Sequence, residues 1–286
     1  MRVLVTGAAG ILGRALGERL QGAHTLFLWG REEADLTDEA QVRRAAGGIA
    51  FDAIVHAAAM TNVDGCEAEP DEALRVNRDA TRHVAGLARE RGAVFVYVST
   101  DYVFDGTKRS PYLEEDPTGP INAYGRSKLE GERAAVASGA KTLVVRTSWL
   151  FGPGGKNFVD TIASKVARGE SLRVVDDQRG SPTYSPDLAH AIELLLRRGS
   201  LGTVHATNSG ATTWYGLARE IARVLGSEAV ITPVATEEFP RPAARPRFSV
   251  LSGARFRAWT GENLRPWEEA VGHYLASRRS RSTGEA

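Results

Sequence analysis

Short, mainly apolar runs closed by turn residues recur through the first half of the chain, at 3–5, Thr25–Trp29, 52–57, 93–98 and 143–146. Runs of this length with little polar alternation predict strands buried on both faces. Between them the period changes from two to 3.6. Ile11, Leu12, Ala15, Leu16 and Leu20 fall on one stripe of a helix, and Leu74, Ala80, Thr81, Val84, Leu87 and Ala88 trace one face of a second helix over 71–91. Asn77 interrupts that second stripe, and a buried amide needs partners, so Asn77 is expected to tie adjacent loops together. Alternation of strands and helices at this spacing predicts a parallel, doubly wound sheet.

Beyond Gly152 the regularity breaks. Helices are expected at Phe158–Ala167, 187–197, Trp214–Leu225 (closed by Gly226) and from Pro266 onward, with strands at Leu172–Val175, 203–206 and 230–234. The fold expected is therefore α/β, with residues 1–150 as a Rossmann-type dinucleotide-binding domain, rejoined by about 183–207. Residues 151–182 and 208–286 would mainly form a smaller C-terminal α/β substrate-binding domain. Composition changes little in this picture. A chain of 286 residues with 42% hydrophobic and 25% charged content suits a soluble globular protein, and a net charge of +1 gives no field that would recruit nucleic acid or an anionic membrane. Cys66 is the single cysteine, and none of the six histidines is paired at metal-ligand spacing, so no protein metal site is expected. His56 is expected to pack beneath the site. No signal peptide or bilayer-length apolar run is read, which makes a cytoplasmic location the default. The basic, polar residues from Ser277 onward are expected to fray.

The first strand runs directly into Thr6-Gly7-Ala8-Ala9-Gly10-Ile11-Leu12-Gly13 and a helix. Strand, glycine turn and helix N-terminus together make an anion site, where backbone N–H groups approach a pyrophosphate. The second strand ends at Gly30-Arg31, without the acid that bonds a ribose 2′-hydroxyl. Arg31 at that place favours a 2′-phosphate, so NADP(H) is the expected preference and NAD(H) the open alternative. Ala57, Ala58 and Ala59 close the third strand with small side chains that let a flat cofactor lie against the backbone.

The chemistry concentrates in the stretch 99–128. Thr100 ends a strand, and Tyr124 and Lys128 stand i and i+4 on one helical face. A tyrosine holds its proton at neutral pH, and a neighbouring ammonium favours the phenolate, so Lys128 is expected to lower the Tyr124 pKa and make it a better proton donor to a developing alkoxide. Thr100 would orient the same carbonyl oxygen, while the cofactor supplies hydride. A Tyr-x-x-x-Lys spacing is common on plain surface helices. Its specificity comes from the glycine turn and the strand-end hydroxyl that precede it.

Over nearly its whole length the chain resembles the extended short-chain dehydrogenases/reductases, and within them the dTDP-4-dehydrorhamnose reductases. The residues that carry the likeness include the glycine turn, Asp35-Leu36-Thr37-Asp38, His56-Ala57-Ala58-Ala59-Met60-Thr61, Val98-Ser99-Thr100-Asp101-Tyr102, Tyr124-Gly125-Arg126-Ser127-Lys128 and Arg146-Thr147-Ser148-Trp149-Leu150-Phe151-Gly152. The resemblance implies a Thr100, Tyr124, Lys128 triad. It also implies cofactor contacts from Gly7, Gly10, Ile11, Leu12, Asp35, Leu36, Ala57 and Ala58, and substrate contacts from Asp101, Tyr102, Trp149, Asn157 and Arg245. The implied reaction is NAD(P)H-dependent reduction of the 4-keto group of dTDP-4-dehydro-β-L-rhamnose, in nucleotide-sugar and cell-surface polysaccharide biosynthesis. Mg2+ and a dimer interface occur in some members, so Mg2+ is an implication of the resemblance alone, and monomer and homodimer both stay open. Met60 departs from the tyrosine usual there. Dehydratases of this fold follow the strand-end threonine with Asp-Glu; Thr100-Asp101-Tyr102 lacks the glutamate, which favours reduction without elimination. Other nucleotide-sugar 4-ketoreductases, epimerases, and a non-catalytic NADP-binding subunit like that of methionine adenosyltransferase remain as alternatives. The loop 111–120 is expected to form an edge of the sugar pocket.

Overall fold

In the computed structural model, which describes residues 1–283, six strands form one parallel sheet. Edge to edge they are Gly202–His205, Lys141–Thr147, Val94–Thr100, Ala53–His56, Arg2–Thr6 and Thr25–Trp29. The expectation of a doubly wound α/β fold holds, and the strand at Gly202–His205 does return to the main sheet, pairing in register with Leu143 to Arg146. Val3, Leu4, Val5, Ile54, Val55, Phe95 and Val96 are wholly buried, as strands covered on both faces require. One face is packed by the helices Ile11–Leu20 and Ser185–Arg197, the other by Glu39–Ala46, Ala80–Arg91 and Ala123–Ala137.

A second apolar cluster lies in the C-terminal half, where Val159, Ile162, Leu217, Ile221, Val271 and Tyr274 join Phe151 and Tyr184. Small strand pairs frame it: Leu172–Val175 with Ile231–Val234, Arg179–Gly180 with Thr212–Thr213, and Leu150–Phe151 with Thr183–Tyr184. The terminal helix runs Trp267–Thr283. The tail expected to fray from Ser277 is therefore helical to Thr283; residues 284–286 lie outside the described part. Among the described residues no helix is long and apolar enough to cross a membrane.

Two local departures matter for the site. The stretch expected as a single helix over 71–91 is Pro70–Leu74, a π turn at Arg75–Asp79, then Ala80–Arg91. The wider turn carries Asn77 into the core at 1% exposure, where the backbone carbonyl of Asn77 comes so close to Gly131 that a Cβ there would stand 2.5 Å away. Periodicity alone does not show one extra residue in a turn, and such bulges gather near functional sites. The second departure is the loop 111–120. It does not line the main cavity: Tyr112 N donates to Val250 O at 2.8 Å, and the buried Glu114 accepts from His205 N at 3.0 Å. Backbone groups of the C-terminal segment and of a sheet edge satisfy the loop, and this turns it away from the pocket.

Candidate active site

A cavity of about 1140 Å³ opens along the C-terminal ends of the sheet strands, between the two halves of the chain. That is the crevice where open α/β sheets bind ligands. Gly7, Gly10, Ile11 and Leu12 line one end, with Ala57 and Ala59 beside them. Gly7 has φ +71°, and a Cβ there would sit 2.7 Å from Ala58 N, so a side chain is excluded both by conformation and by contact. Gly10 caps the helix Ile11–Leu20 without any side-chain hydrogen bond, which leaves first-turn N–H groups for an anion. This cradle fits a dinucleotide pyrophosphate.

Thr100, Asp101, Tyr102, Tyr124 and Lys128 meet at the centre of the cavity, and Trp149 and Arg245 line it further along. Thr100 closes its strand by capping a short 3-10 turn: its Oγ1 accepts from Tyr102 N at 3.2 Å and donates to Asp101 Oδ1 at 3.0 Å. The helix Ala123–Ala137 starts at Asn122, whose side chain accepts from Gly125 N at 2.8 Å, so the cap fixes where Tyr124 begins the first turn. Gly131 lets this helix approach the sheet; a Cβ there would lie 2.1 Å from the Tyr97 hydroxyl oxygen. Farther along, Arg146 donates to both oxygens of Glu132, at 2.9 and 2.7 Å, in a buried fork that ties the same helix to the sheet. Asn77 holds the opposite side. Its Oδ1 accepts from Met60 N (2.8 Å), and its Nδ2 donates to Met60 O (3.0 Å) and to Ser127 Oγ (2.8 Å). The expected tie between loops is thus a bond from the loop after the third strand to the helix that carries Tyr124 and Lys128.

The electrostatics differ from expectation. Burial pushes the Tyr124 pKa well above that of a free phenol, with the Thr100 hydroxyl opposing. Burial also pulls Lys128 down to about 7. Its Nζ donates to Val98 O at 2.7 Å and lies 4.2 Å from the centroid of the Tyr97 ring. Desolvation penalises charge on both residues and is the largest cause at each. Asp101, 2% exposed, is raised by burial to about 7, with bonding to Ser249 and Thr100 opposing. His56 lies beneath the site as expected, buried, with its Nδ1 2.7 Å from Thr6 Oγ1. Burial and the nearby Lys128 hold it neutral, down to about 3.

Several expected contacts do not reach the cavity. Arg31 is exposed in the turn after the second strand, and Asp35, Leu36 and Ala58 are absent from the cavity wall. Asp35 accepts from Thr37 N and Oγ1, at 2.9 and 2.7 Å, and the Ala58 backbone instead backs Gly7. Asn157 caps the helix Phe158–Ala167: its Oδ1 accepts from Asp160 N (2.9 Å), and its Nδ2 donates to Gly152 O (3.0 Å) and Asp160 Oδ2 (2.8 Å). That is the ordinary use of Asn before a helix, and it leaves the amide spent. Met60 is also off the cavity wall; it packs with Cys66, Ala73, Ala123 and Tyr124. Arg245 does line the cavity, yet its guanidinium is held by Asp64, with Nη1 2.6 Å from Oδ1. Asp64 also accepts from Arg241 and from Ala243 N, and the guanidinium groups of Arg245 and then Arg241 hold its pKa far below the usual carboxylate range. Sequence reasoning gave no site role to Asp64, Phe158, Gln178 or Trp214; the signals available were aromatics at the opening of a helix, at Phe158 and Trp214, and the place of Gln178 in the family-like segment Asp177-Gln178-Arg179-Gly180. Among the described residues no group of three or more His, Cys, Asp or Glu side chains is placed to hold a metal ion.

Residues 1–280 match the sequence model of the RmlD substrate binding domain. A dTDP-4-dehydrorhamnose reductase of Streptomyces griseus is 44% identical over 279 residues, covering 94% of this chain and 91% of that protein. The chain belongs to the dTDP-4-dehydrorhamnose reductase family. Another relative, from Streptomyces antibioticus, is described as a probable dTDP-4,6-dihydroxy-2-methyloxan-3-one 4-ketoreductase; it is 42% identical over 95% of this chain and 93% of its own. The crystal structure of a Bacillus anthracis dTDP-4-dehydrorhamnose reductase in complex with NADP superposes with a TM-score of 0.94 at 37% identity, covering 96% of this chain and 99% of that one.

Proposed function

We propose that the protein is an NADPH-dependent oxidoreductase that reduces the 4-keto group of dTDP-4-dehydro-β-L-rhamnose to give dTDP-L-rhamnose. The observation that carries this reading is the meeting, in one cavity, of the glycine cradle with Thr100, Tyr124 and Lys128. The family and the NADP held by the Bacillus anthracis relative support it. In this reading Gly7, Gly10, Ile11 and Leu12 hold the pyrophosphate, and Ala57 and Ala59 give the dinucleotide a flat wall. A bound nicotinamide supplies hydride to C4 of the sugar. Tyr124 gives its phenolic proton to the oxygen, Thr100 hydrogen-bonds that oxygen and sets its direction, and Lys128 orients the ribose beside them. One hydride and one proton convert the ketone to a secondary alcohol. NADP(H) is proposed over NAD(H), with no step assigned to magnesium.

The test follows NADPH absorbance after the protein is mixed with the dTDP-4-keto sugar. Oxidation with formation of dTDP-rhamnose is expected, and Tyr124→Phe should lower kcat by about 10²–10⁴-fold, the usual worth of a positioned proton donor, while cofactor affinity is kept. Cofactor binding without turnover would move the protein to the non-catalytic reading. The Streptomyces antibioticus relative favours one second reading, a 4-ketoreductase of a related dTDP-sugar, which the same assay with that substrate separates.

A further inference from the structure

Trp149 is the one non-glycine residue among those described with a left-handed backbone, at φ 46°. For a bulky side chain that conformation is strained and persists only where the surroundings enforce it. The enforcement can be traced. Ser148 Oγ donates to Ser181 O at 2.5 Å on one side of Trp149, and Trp149 O accepts from Thr183 N at 3.2 Å. The indole itself stacks on Trp214, centroids 3.6 Å apart and planes 7° from parallel. It also lies so close to Gly180 that a Cβ there would sit 2.5 Å from Trp149 Cε2.

Trp214 is fixed in turn from the C-terminal half. It opens the helix Trp214–Leu225, and its Nε1 donates to Gln178 Oε1 at 3.2 Å. Gln178 is 7% exposed and passes the restraint on, its Nε2 donating to Thr236 Oγ1 at 3.0 Å. Phe158 also packs against Trp214, with ring centroids 4.7 Å apart and planes tilted by 52°. Trp149, Trp214, Gln178, Thr236 and Phe158 all line the cavity. Plain core packing does not account for the pair: Trp267, a core tryptophan, is 6% exposed, whereas both Trp149 and Trp214 stay part-open to the cavity.

We infer that Trp214, braced by Gln178, is a positioning residue that holds the Trp149 ring as a flat wall against the dTDP-sugar. The inference rests on the reductase reading. Trp214 does not take part in the chemistry, so its removal weakens capture of the sugar nucleotide and leaves cofactor binding alone.

The experiment compares wild type, Trp214→Ala, Trp214→Phe and Gly180→Ala in steady-state reduction, with NADPH and the dTDP-4-keto sugar varied separately. Two stacked indoles also couple in far-ultraviolet circular dichroism, a signature that reports the stack directly. Trp214→Ala should lose that signature and raise KM for the sugar nucleotide about tenfold or more, a loss of binding shared by ground and transition state. KM for NADPH should stay within about twofold, and Trp214→Phe, which restores a ring, should recover most of the loss. Gly180→Ala displaces the same indole from another direction and should raise the same KM, so the proposal stays testable if Trp214→Ala fails to fold. Wild-type kinetics in Trp214→Ala would overturn it, as would equal damage to both substrates with no recovery in Trp214→Phe. Absence of turnover in the wild type would refute the reductase reading separately. Calorimetric titration with dTDP-rhamnose would then decide the present proposal: weaker binding by Trp214→Ala supports it, and equal binding by the two proteins overturns it.

Discussion

Replacing Asn77 with alanine removes three hydrogen bonds made by a side chain that is itself buried in the core. Asn77 is 1% exposed, and its amide satisfies Met60 N, Met60 O and Ser127 Oγ at 2.8, 3.0 and 2.8 Å. These losses are unequal. Ser127 Oγ still donates to Tyr124 O at 2.8 Å, so it forfeits only an acceptor role. The Met60 carbonyl keeps a weak contact from Cys66 Sγ at 3.6 Å. Met60 N, in a part-buried bond, has no substitute within the protein, and a donor left unmade there costs about 1–3 kcal/mol. Adding about 1 kcal/mol for the net loss at the carbonyl and the space left by the amide gives an expected destabilisation of about 2–4 kcal/mol. Urea unfolding followed by tryptophan fluorescence and far-ultraviolet circular dichroism measures it, provided the two transitions coincide. Asn77→Asp sharpens the test. It keeps an acceptor for Met60 N but turns an oxygen toward the Met60 carbonyl, so it should be less damaging near pH 5, where a buried acid keeps its proton, than near pH 8. A shift below about 1 kcal/mol in Asn77→Ala, or no pH dependence in Asn77→Asp, would refute the role given to this amide.

Two further outcomes are expected. Asp101 is an acid raised by burial from 3.8 to about 7, so its stabilising share is complete below its unfolded pKa and is lost as pH rises through the folded one. Asp101→Asn, which keeps an acceptor for Thr100, should match wild type near pH 4 and exceed its stability by up to roughly 4 kcal/mol near pH 8, measured by urea unfolding; a constant difference across that range would contradict the assignment. Asp64→Ala frees Arg241 and Arg245, which line the cavity, and should raise KM for the sugar nucleotide about tenfold with NADPH affinity unchanged. An unchanged KM for the sugar nucleotide would show that the ion pairs do not hold the arginines for ligand.

What the sequence disclosed and what it hid divide along chain separation. Val3, Leu4 and Val5 announce a strand buried on both faces because burial of a parallel strand is written in consecutive residues, and the glycines that follow announce a turn for the same local reason. Tyr124 and Lys128 share a helical face by spacing alone. Contacts between distant segments carry no such signature. Asp64 and Arg245 are 181 residues apart, and nothing near either names the other. Trp149 meets Trp214 only after the chain has built two small strand pairs between them. Asn157 shows a different difficulty. A polar residue before a helix fits both a cap and a ligand contact, and it is the folded chain that gives its amide to Gly152 and Asp160. Arg31 followed its strand as a cofactor arginine would, but an exposed turn left it off the cavity wall.

The reversal at Tyr124 and Lys128 bears on how the proposed reduction works. Spacing suggested a lysine that drives its tyrosine toward phenolate. The structure instead gives a centre where burial disfavours every charge: the Tyr124 and Tyr102 phenols are pushed up, Asp101 is raised to about 7 and Lys128 is lowered to about 7. A phenol held firmly protonated is the right starting state for a group that must give a proton. An ionised Asp101 would oppose that gift, since its charge raises the pKa of both tyrosines, and burial near neutrality keeps much of that charge away. In so charge-poor a place, negative charge developing on the sugar oxygen competes with Asp101 Oδ1 for the Thr100 hydroxyl, a competition that weakens as Asp101 takes up its proton, and the hydrogen bonds then formed act more strongly than they would in water. The advantage of this centre thus lies less in a tyrosine made acidic beforehand than in surroundings that favour proton transfer once hydride has arrived.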